Sequence, residues 1–149
     1  DMRFGERRLE RMIDCFVALS QPKNAVPPAT YPLPEIVVPA AEQENWLSRN
    51  DLRRTGRPVV ALAPGAVGPG KAWPVQNYAE LARQLTEQGA NVWVLGGPAE
   101  AAIAAQIAAT GGPSVSNLTG NDLRNAIVAL SAADLAVTND SGLMHISAA

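Results

Sequence analysis

Four short stretches of this 149-residue sequence gather the residue types that could act on a ligand: Pro64 to Lys71, Gly96 to Glu100, Leu118-Thr119 and Asn139 to His145. In the first, Gly65-Ala66-Val67-Gly68-Pro69-Gly70-Lys71 has the glycine, four-residue, Gly-Lys spacing of a phosphate-binding P-loop. The next position should offer a hydroxyl to magnesium, but it is Ala72, and Trp73-Pro74 interrupts the helix that should begin there. A P-loop-like NTPase therefore stands only as an alternative. The dinucleotide pattern of glycine, any residue, glycine, two residues, glycine is not met either. Two readings of the loop stay open. Its backbone can approach a ligand closely while Lys71 neutralises phosphate, or it is a flexible strand-to-helix turn with a surface lysine.

Gly96-Gly97-Pro98-Ala99-Glu100 poses a similar choice. Glu100 either does no more than favour the positive end of a helix, or accepts hydrogen bonds from ribose hydroxyls as acids do at the end of a second α/β strand. Asn139-Asp140-Ser141-Gly142 mixes helix-capping types with a glycine directly after an apolar run. Such a junction turns free backbone N–H groups and a positive helix end toward an anion. His145 is the single histidine, so no protein metal site is expected. Ser141 lacks the glycine-flanked elbow of a Ser–His hydrolase, and the first-turn place of His145 points to ligand contact instead.

The elements that must position these stretches alternate regularly. Val59 to Ala63, between Pro58 and Pro64, reads as a buried parallel strand. Pro74 opens a helix with Tyr78, Leu81, Ala82 and Leu85 at helical spacing, and Gly89 stops it. Asn91 to Leu95 is a second strand, and a helix spans about Pro98 to Thr110. Val115 centres a third strand, Asn121 is the expected N-cap of a helix carrying Leu123, Ile127 and Leu130 on one face, and Asp134 to Thr138 is a fourth strand. This rhythm predicts an α/β fold with a doubly wound parallel sheet. Sheets of that kind bind ligands beyond the carboxyl ends of their strands, where all four stretches fall.

Before residue 58 the pattern is different. A helix is expected over residues 5–20, with Leu9, Met12, Ile13, Phe16, Val17 and Leu19 on an apolar face and Arg3, Arg7, Arg8 and Arg11 in solvated ion pairs. A proline-rich connector follows from Gln21 to Pro34, then an extended piece over Glu35 to Pro39. Residues 40–56 are expected to form a helix and a charged turn that link two domains.

Composition narrows the classes. A net charge of −2 argues against a nucleic-acid-binding domain, and Lys71, Arg83 and Arg124 are the only Lys or Arg after residue 57. Cys15 is alone, which fits a reducing compartment, and no apolar run approaches a membrane span. No leader peptide is visible at Asp1-Met2-Arg3-Phe4. A cytoplasmic place is expected.

Taken together and in order, the loops resemble the ADP-heptose:lipopolysaccharide heptosyltransferases of glycosyltransferase family 9, closest to the heptosyltransferase II branch. The resemblance is carried by Pro64-Gly65-Ala66, Gly68-Pro69-Gly70-Lys71-Ala72-Trp73-Pro74, Leu95-Gly96-Gly97 with Glu100, Asn117-Leu118-Thr119-Gly120 and Asn139-Asp140-Ser141-Gly142-Leu143-Met144-His145. It implies a GT-B architecture of two Rossmann-like domains and an inverting transfer of heptose from ADP-heptose to the inner core of lipopolysaccharide, without metal or cofactor. It also implies peripheral contact with the cytoplasmic face of the inner membrane. Residues 1–57 then correspond to the end of the N-terminal domain and the linker, and residues 58–149 to the first part of the C-terminal donor domain, with the chain truncated at both ends.

By the same resemblance Lys71 faces the diphosphate or heptose, and the backbone of Ala66 and Val67 approaches the phosphates. Glu100 takes the ribose hydroxyls and Leu118 and Thr119 border adenine. Asp140 bonds the sugar, the N–H groups of Ser141 and Gly142 bind phosphate, and His145 supports them. The chemistry is consistent, since departing ADP needs its growing charge stabilised. The family usually carries Ala-Lys-Arg where this chain has Gly70-Lys71-Ala72, so one cation is missing and weaker donor binding is expected. The family's general base is an aspartate of the N-terminal domain, so no catalytic residue is nominated here and the chain alone is expected to be inactive. The competing expectation is a non-catalytic nucleotide-binding module.

Overall fold

The computed structural model describes residues 3–4, 7–8, 11–22, 25–26, 28–52, 56–68 and 70–149. They fall into two compact units, Asp1–Leu33 and Pro34–Ala149.

In the first unit, β1 (Arg3–Phe4) pairs antiparallel with β2 (Arg7–Arg8), and α1 (Met12–Ala18) follows. The single helix expected over residues 5–20 is therefore corrected. The backbone of Arg7 and Arg8 is spent on the ladder, and Arg11 is still extended at φ −94° and ψ 141°. Leu9 lies outside the described residues. Arg11 does form the expected helical ion pair, through Nε and Nη2 to the Asp14 carboxylate at 3.0 and 2.8 Å. Its guanidinium also reaches the carbonyls of Pro28 and Ala29, and Tyr31 donates to Asp14 at 2.8 Å. These bonds satisfy a carboxylate that is 7% exposed and hold it below the usual carboxylate range, Arg11 contributing most.

In the second unit, α2 (Ala40–Arg49) precedes the alternating part: β3 (Val59–Ala63), α3 (Val75–Glu87), β4 (Asn91–Val94), α4 (Ala101–Gly111), β5 (Val115–Asn117), α5 (Leu123–Ala132), β6 (Leu135–Thr138) and α6 (Gly142–Ser147). The four strands are parallel in the order β5-β4-β3-β6, with Val60 opposite Val92 on one side and Leu135 on the other. The doubly wound sheet expected from the sequence is the one observed.

Strand periodicity explains the two layers. Val60, Leu62, Val92 and Val94 point to one face, where Tyr78, Ala79 and Ala82 of α3 and Ala104 and Ile107 of α4 cover them. Val59, Ala61, Trp93 and Leu95 point to the other face, against Val128, Ala129 and Ala132 of α5 and Trp46 of α2. The helix over Ala40–Arg49, expected to resemble a linker more than part of a core, contributes Trp46 to this core. Trp46 is 1% exposed, meets Trp93 edge-on at 5.6 Å and donates from Nε1 to Asn125 at 2.8 Å. A buried indole needs such a partner, and here three elements supply the surface that hides it. Glu35 to Pro39 joins no sheet, and the helix stops at Arg49, with residues 53–55 outside the described set.

Helix ends show smaller differences. Gly89 takes φ +88° just past α3, as a stop signal should. At α5 the N-cap is Asp122 rather than Asn121: its carboxylate accepts from the Asn125 N–H at 2.8 Å, while Asn121 donates to the Leu118 carbonyl. A carboxylate gains from the helix dipole as well as from the hydrogen bond, which favours it as the cap. No helix among the described residues is long and apolar enough to cross a membrane.

Candidate functional site

The order β5-β4-β3-β6 places the first and fourth strands of the alternating part side by side, with α3, after β3, packed on one face and Leu143 of α6, after β6, packed on the other. That is the switch point at which open parallel sheets leave a crevice beyond their carboxyl ends. An open cavity of about 570 Å³ lies there, within the range of small-ligand sites. Its walls are Gly65, Ala66, Val67 and Lys71 after β3, Gly96, Gly97 and Glu100 after β4, Leu123 at the start of α5, and Asp140 to Leu143, His145 and Ile146 after β6.

Eight of the ten site residues expected from the sequence line this one cavity: Ala66, Val67, Lys71, Glu100, Asp140, Ser141, Gly142 and His145. Leu118 and Thr119 do not reach its wall. Leu118 packs on the core below α5, and the Thr119 hydroxyl and N–H are both taken by the Asn117 side chain. Pro69 lies outside the described residues.

The charged groups are already committed to partners. Lys71 Nζ meets Asp140 Oδ2 at 2.7 Å, across the cavity from one strand end to the other. That bond, then the lysine charge, holds the Asp140 carboxyl below its ordinary range, with a smaller contribution from His145. Glu100 folds back on its own turn, accepting from the Gly97 N–H at 2.8 Å through Oε2. Glycine is needed beneath it: a Cβ at Gly96 would stand 2.8 Å from Glu100 Cβ, and one at Gly65 would stand 3.2 Å from its carboxyl carbon. The helix-end role that the sequence offered for Glu100 is therefore realised, while the residue also lines the cavity.

Ser141 precedes α6 without capping it, and its Oγ is buried with no hydrogen-bond partner. The first N–H groups of a helix have no intrahelical acceptor, so Gly142 and Leu143 present donors at this wall. An anion entering here would meet Lys71 and these donors, but also two carboxylates. The Lys71–Asp140 pair is about half exposed on both sides, and pairs so exposed rearrange at little cost.

Two features escaped the sequence reading. Leu123, assigned there to the core face of its helix, is 61% exposed and lines the cavity with Leu143 and Ile146. Its position directly after an N-cap at a strand end was the available signal. Asn139, taken for a capping type, is 6% exposed and bonds three neighbouring segments. A polar residue prolonging an apolar strand into a turn was the hint.

A parallel sheet of this order, with glycine-lined loops and a charged cavity over its switch point, defines a Rossmann-like α/β domain. Comparison with known proteins narrows the class: the chain belongs to glycosyltransferase family 9 (heptosyltransferase), whose family model matches residues 4–149. It is 32% identical to lipooligosaccharide heptosyltransferase 2 of Haemophilus influenzae over 161 aligned positions, which cover 100% of this chain and 46% of that protein. The solved Escherichia coli ADP-heptose lipopolysaccharide heptosyltransferase II superimposes with a TM-score of 0.81 at 30% identity, over 91% of this chain and 44% of that one. An Escherichia coli heptosyltransferase solved with ADP-2-deoxy-2-fluoro heptose shares the fold, with a TM-score of 0.58 at 22% identity over 90% of this chain and 39% of that one. The chain thus spans under half the length of the relatives it matches. The sheet is of the GT-B kind that the resemblance implied.

Proposed function

We propose that this chain carries the donor-binding part of a heptosyltransferase that moves heptose from ADP-heptose to the inner core of lipopolysaccharide with inversion at the sugar. The observation that carries the reading is the convergence of Lys71, Glu100, Asp140 and His145, from the ends of three strands, on one cavity at the switch point. Lys71 opposes the diphosphate, whose charge grows as ADP departs, and the backbone N–H groups of Ala66, Val67, Ser141 and Gly142 share that task. The reading gives this work to lysine and backbone rather than to a metal or cofactor. Asp140 exchanges Lys71 for a sugar hydroxyl when the diphosphate arrives, and Glu100 offers Oε1 to the ribose while Oε2 keeps the Gly97 N–H. Adenine is assigned to the Leu118-Thr119 end of β5 and to Leu123. His145 supports the anion beside Asp140.

Asp140 is assigned to binding rather than to deprotonating an acceptor, because Lys71 holds its pKa low and so weakens it as a base. No general base is assigned among these residues. The lipopolysaccharide acceptor brings with it a cytoplasmic place and contact with the inner membrane face, which belong to the same proposal.

Calorimetric titration of the chain with ADP-heptose and ADP, against ATP with magnesium, tests the reading. Metal-independent binding of the ADP species, lost in Lys71→Ala and weakened in Asp140→Ala, is expected. Magnesium-dependent ATP binding would sink it in favour of the P-loop-like alternative.

A further inference from the structure

The cavity depends on two loops that side chains join. One leaves β3 at Pro64 and returns at Trp73, and the other leaves β6 at Asn139. The Asn139 side chain touches both. Its Nδ2 donates to the Pro64 carbonyl at 2.6 Å, at the start of the β3 loop. Its Oδ1 accepts from the Trp73 N–H at 3.2 Å, at the loop's end, and from the Tyr78 hydroxyl at 3.0 Å, on α3.

The match of residue to task is close. A carboxamide offers a donor and an acceptor side by side, and here three protein groups take them up. The amide is 6% exposed and Tyr78 is 1% exposed, so water does not compete for the bonds. Burial pushes the Tyr78 phenol up, which keeps it a donor, and Trp73 meets its ring edge-on at 5.0 Å. The two residues of the ion pair stand beside this junction. Lys71 is two positions before Trp73, and Asp140 is the residue after Asn139.

We propose that Asn139 is the positioning residue of the site: by tying both ends of the β3 loop to the β6 turn, it fixes Lys71 opposite Asp140 so that a nucleoside diphosphate meets them as one preorganised pair. The ligand named here rests on the donor-site reading, whereas the geometry does not. Asp140 reports on that geometry directly, since the charged groups acting on its carboxyl are Lys71 first and His145 more weakly.

The test is a carbon-detected NMR titration of the Asp140 carboxyl in the full chain, with ADP affinity measured alongside, for the wild type, Asn139→Ala and Tyr78→Phe. In the wild type Asp140 titrates below the ordinary carboxylate range. In Asn139→Ala it returns to that range, and ADP binding weakens by about ten- to a hundredfold, the usual size of such misplacement effects. Tyr78→Phe, which removes one bond of the three, shifts Asp140 in the same direction by less, and it carries the test if Asn139→Ala does not fold. Lower thermal stability with Asp140 unmoved is the result for a merely structural amide and overturns the proposal. If the wild type does not bind ADP but Asp140 responds, the donor reading fails and the positioning role stands. If ADP binds and Asp140 does not respond, the reverse holds.

Discussion

Two turns at the carboxyl edge of the sheet look alike in sequence and behave differently in space. Each leaves a strand through glycines and carries one charged residue before or at the next helix: Lys71 after β3, Glu100 after β4. Glu100 closes on its own turn, three residues back to the Gly97 N–H, and its side chain lies on Gly96 and Gly65. Lys71 reaches out to Asp140, which is far away in sequence and arrives from β6. The difference is one of loop length. The β4 turn enters a 3-10 turn at Pro98–Glu100 almost at once, so its acid has backbone donors within reach. The β3 loop runs from Pro64 to Trp73 before α3 begins, so its lysine finds no local acceptor and takes its partner from another strand. A locally bonded group shapes the wall of a site, and a cross-strand pair is available for exchange with a ligand.

The largest effect is expected where the local turn is tightest. Gly96→Ala forces a Cβ to within 2.8 Å of Glu100 Cβ, an atom too near the backbone to swing away. A loss of about 1–3 kcal/mol in urea unfolding is expected, as for overpacked sites. Glu100→Ala should not restore it, because the clashing Cβ remains. Full restoration by that second change would mean that the carboxyl, and not the backbone approach, sets the turn.

Glu100→Ala by itself should cost about 1 kcal/mol, the scale of losing a helix-end acceptor. It also makes a sharper comparison possible. The three atoms nearest a Cβ at Gly65 would be the Glu100 Cδ, Oε1 and Cγ, at 3.2 to 3.3 Å, and all three vanish in Glu100→Ala. Gly65→Ala should therefore be mildly destabilising in the wild type and neutral or stabilising in the Glu100→Ala background, since alanine restricts the unfolded chain. A strictly additive pair in the same unfolding assay would show that the two turns do not share the Glu100 side chain.

The same contrast explains what was legible in the sequence. Strands β3 and β4 are apolar runs punctuated by proline or glycine, and β6 is an apolar run that ends in polar turn residues, so the fold class could be read locally, and eight of the residues named from the strand ends line one cavity. The failures are long-range. The partner of Trp46 is Trp93, which no local pattern announces, so the share of α2 in the core was not foreseen. The ladder of Arg3–Phe4 with Arg7–Arg8 interrupts a stretch whose apolar spacing is helical. Asn139 has capping chemistry by type, but its three partners lie at Pro64, Trp73 and Tyr78. Leu118 and Thr119 do not line the cavity itself, because Leu118 packs on the core and Thr119 bonds the Asn117 side chain, two contacts that the loop sequence does not announce.

The smallest effect on stability, and the sharpest use of the comparison, belongs to Lys71. Both members of its pair are about half exposed, so solvent screens them and Lys71→Met should leave the thermal unfolding midpoint at neutral pH nearly unchanged. The pH dependence follows from the direction of the Asp140 shift. A carboxyl held low in the folded chain adds stability above the ordinary carboxylate range and loses that contribution as pH falls through its folded value. Wild type and Lys71→Met should therefore coincide in acid and separate only slightly, in favour of the wild type, on approach to neutrality. Nucleotide binding should behave oppositely, falling sharply in Lys71→Met although the fold is intact. A large stability loss at neutral pH would instead make Lys71 a support of the β3 loop, a task the geometry gives to Asn139, and the lysine would no longer be the exchangeable half of the contrast with Glu100.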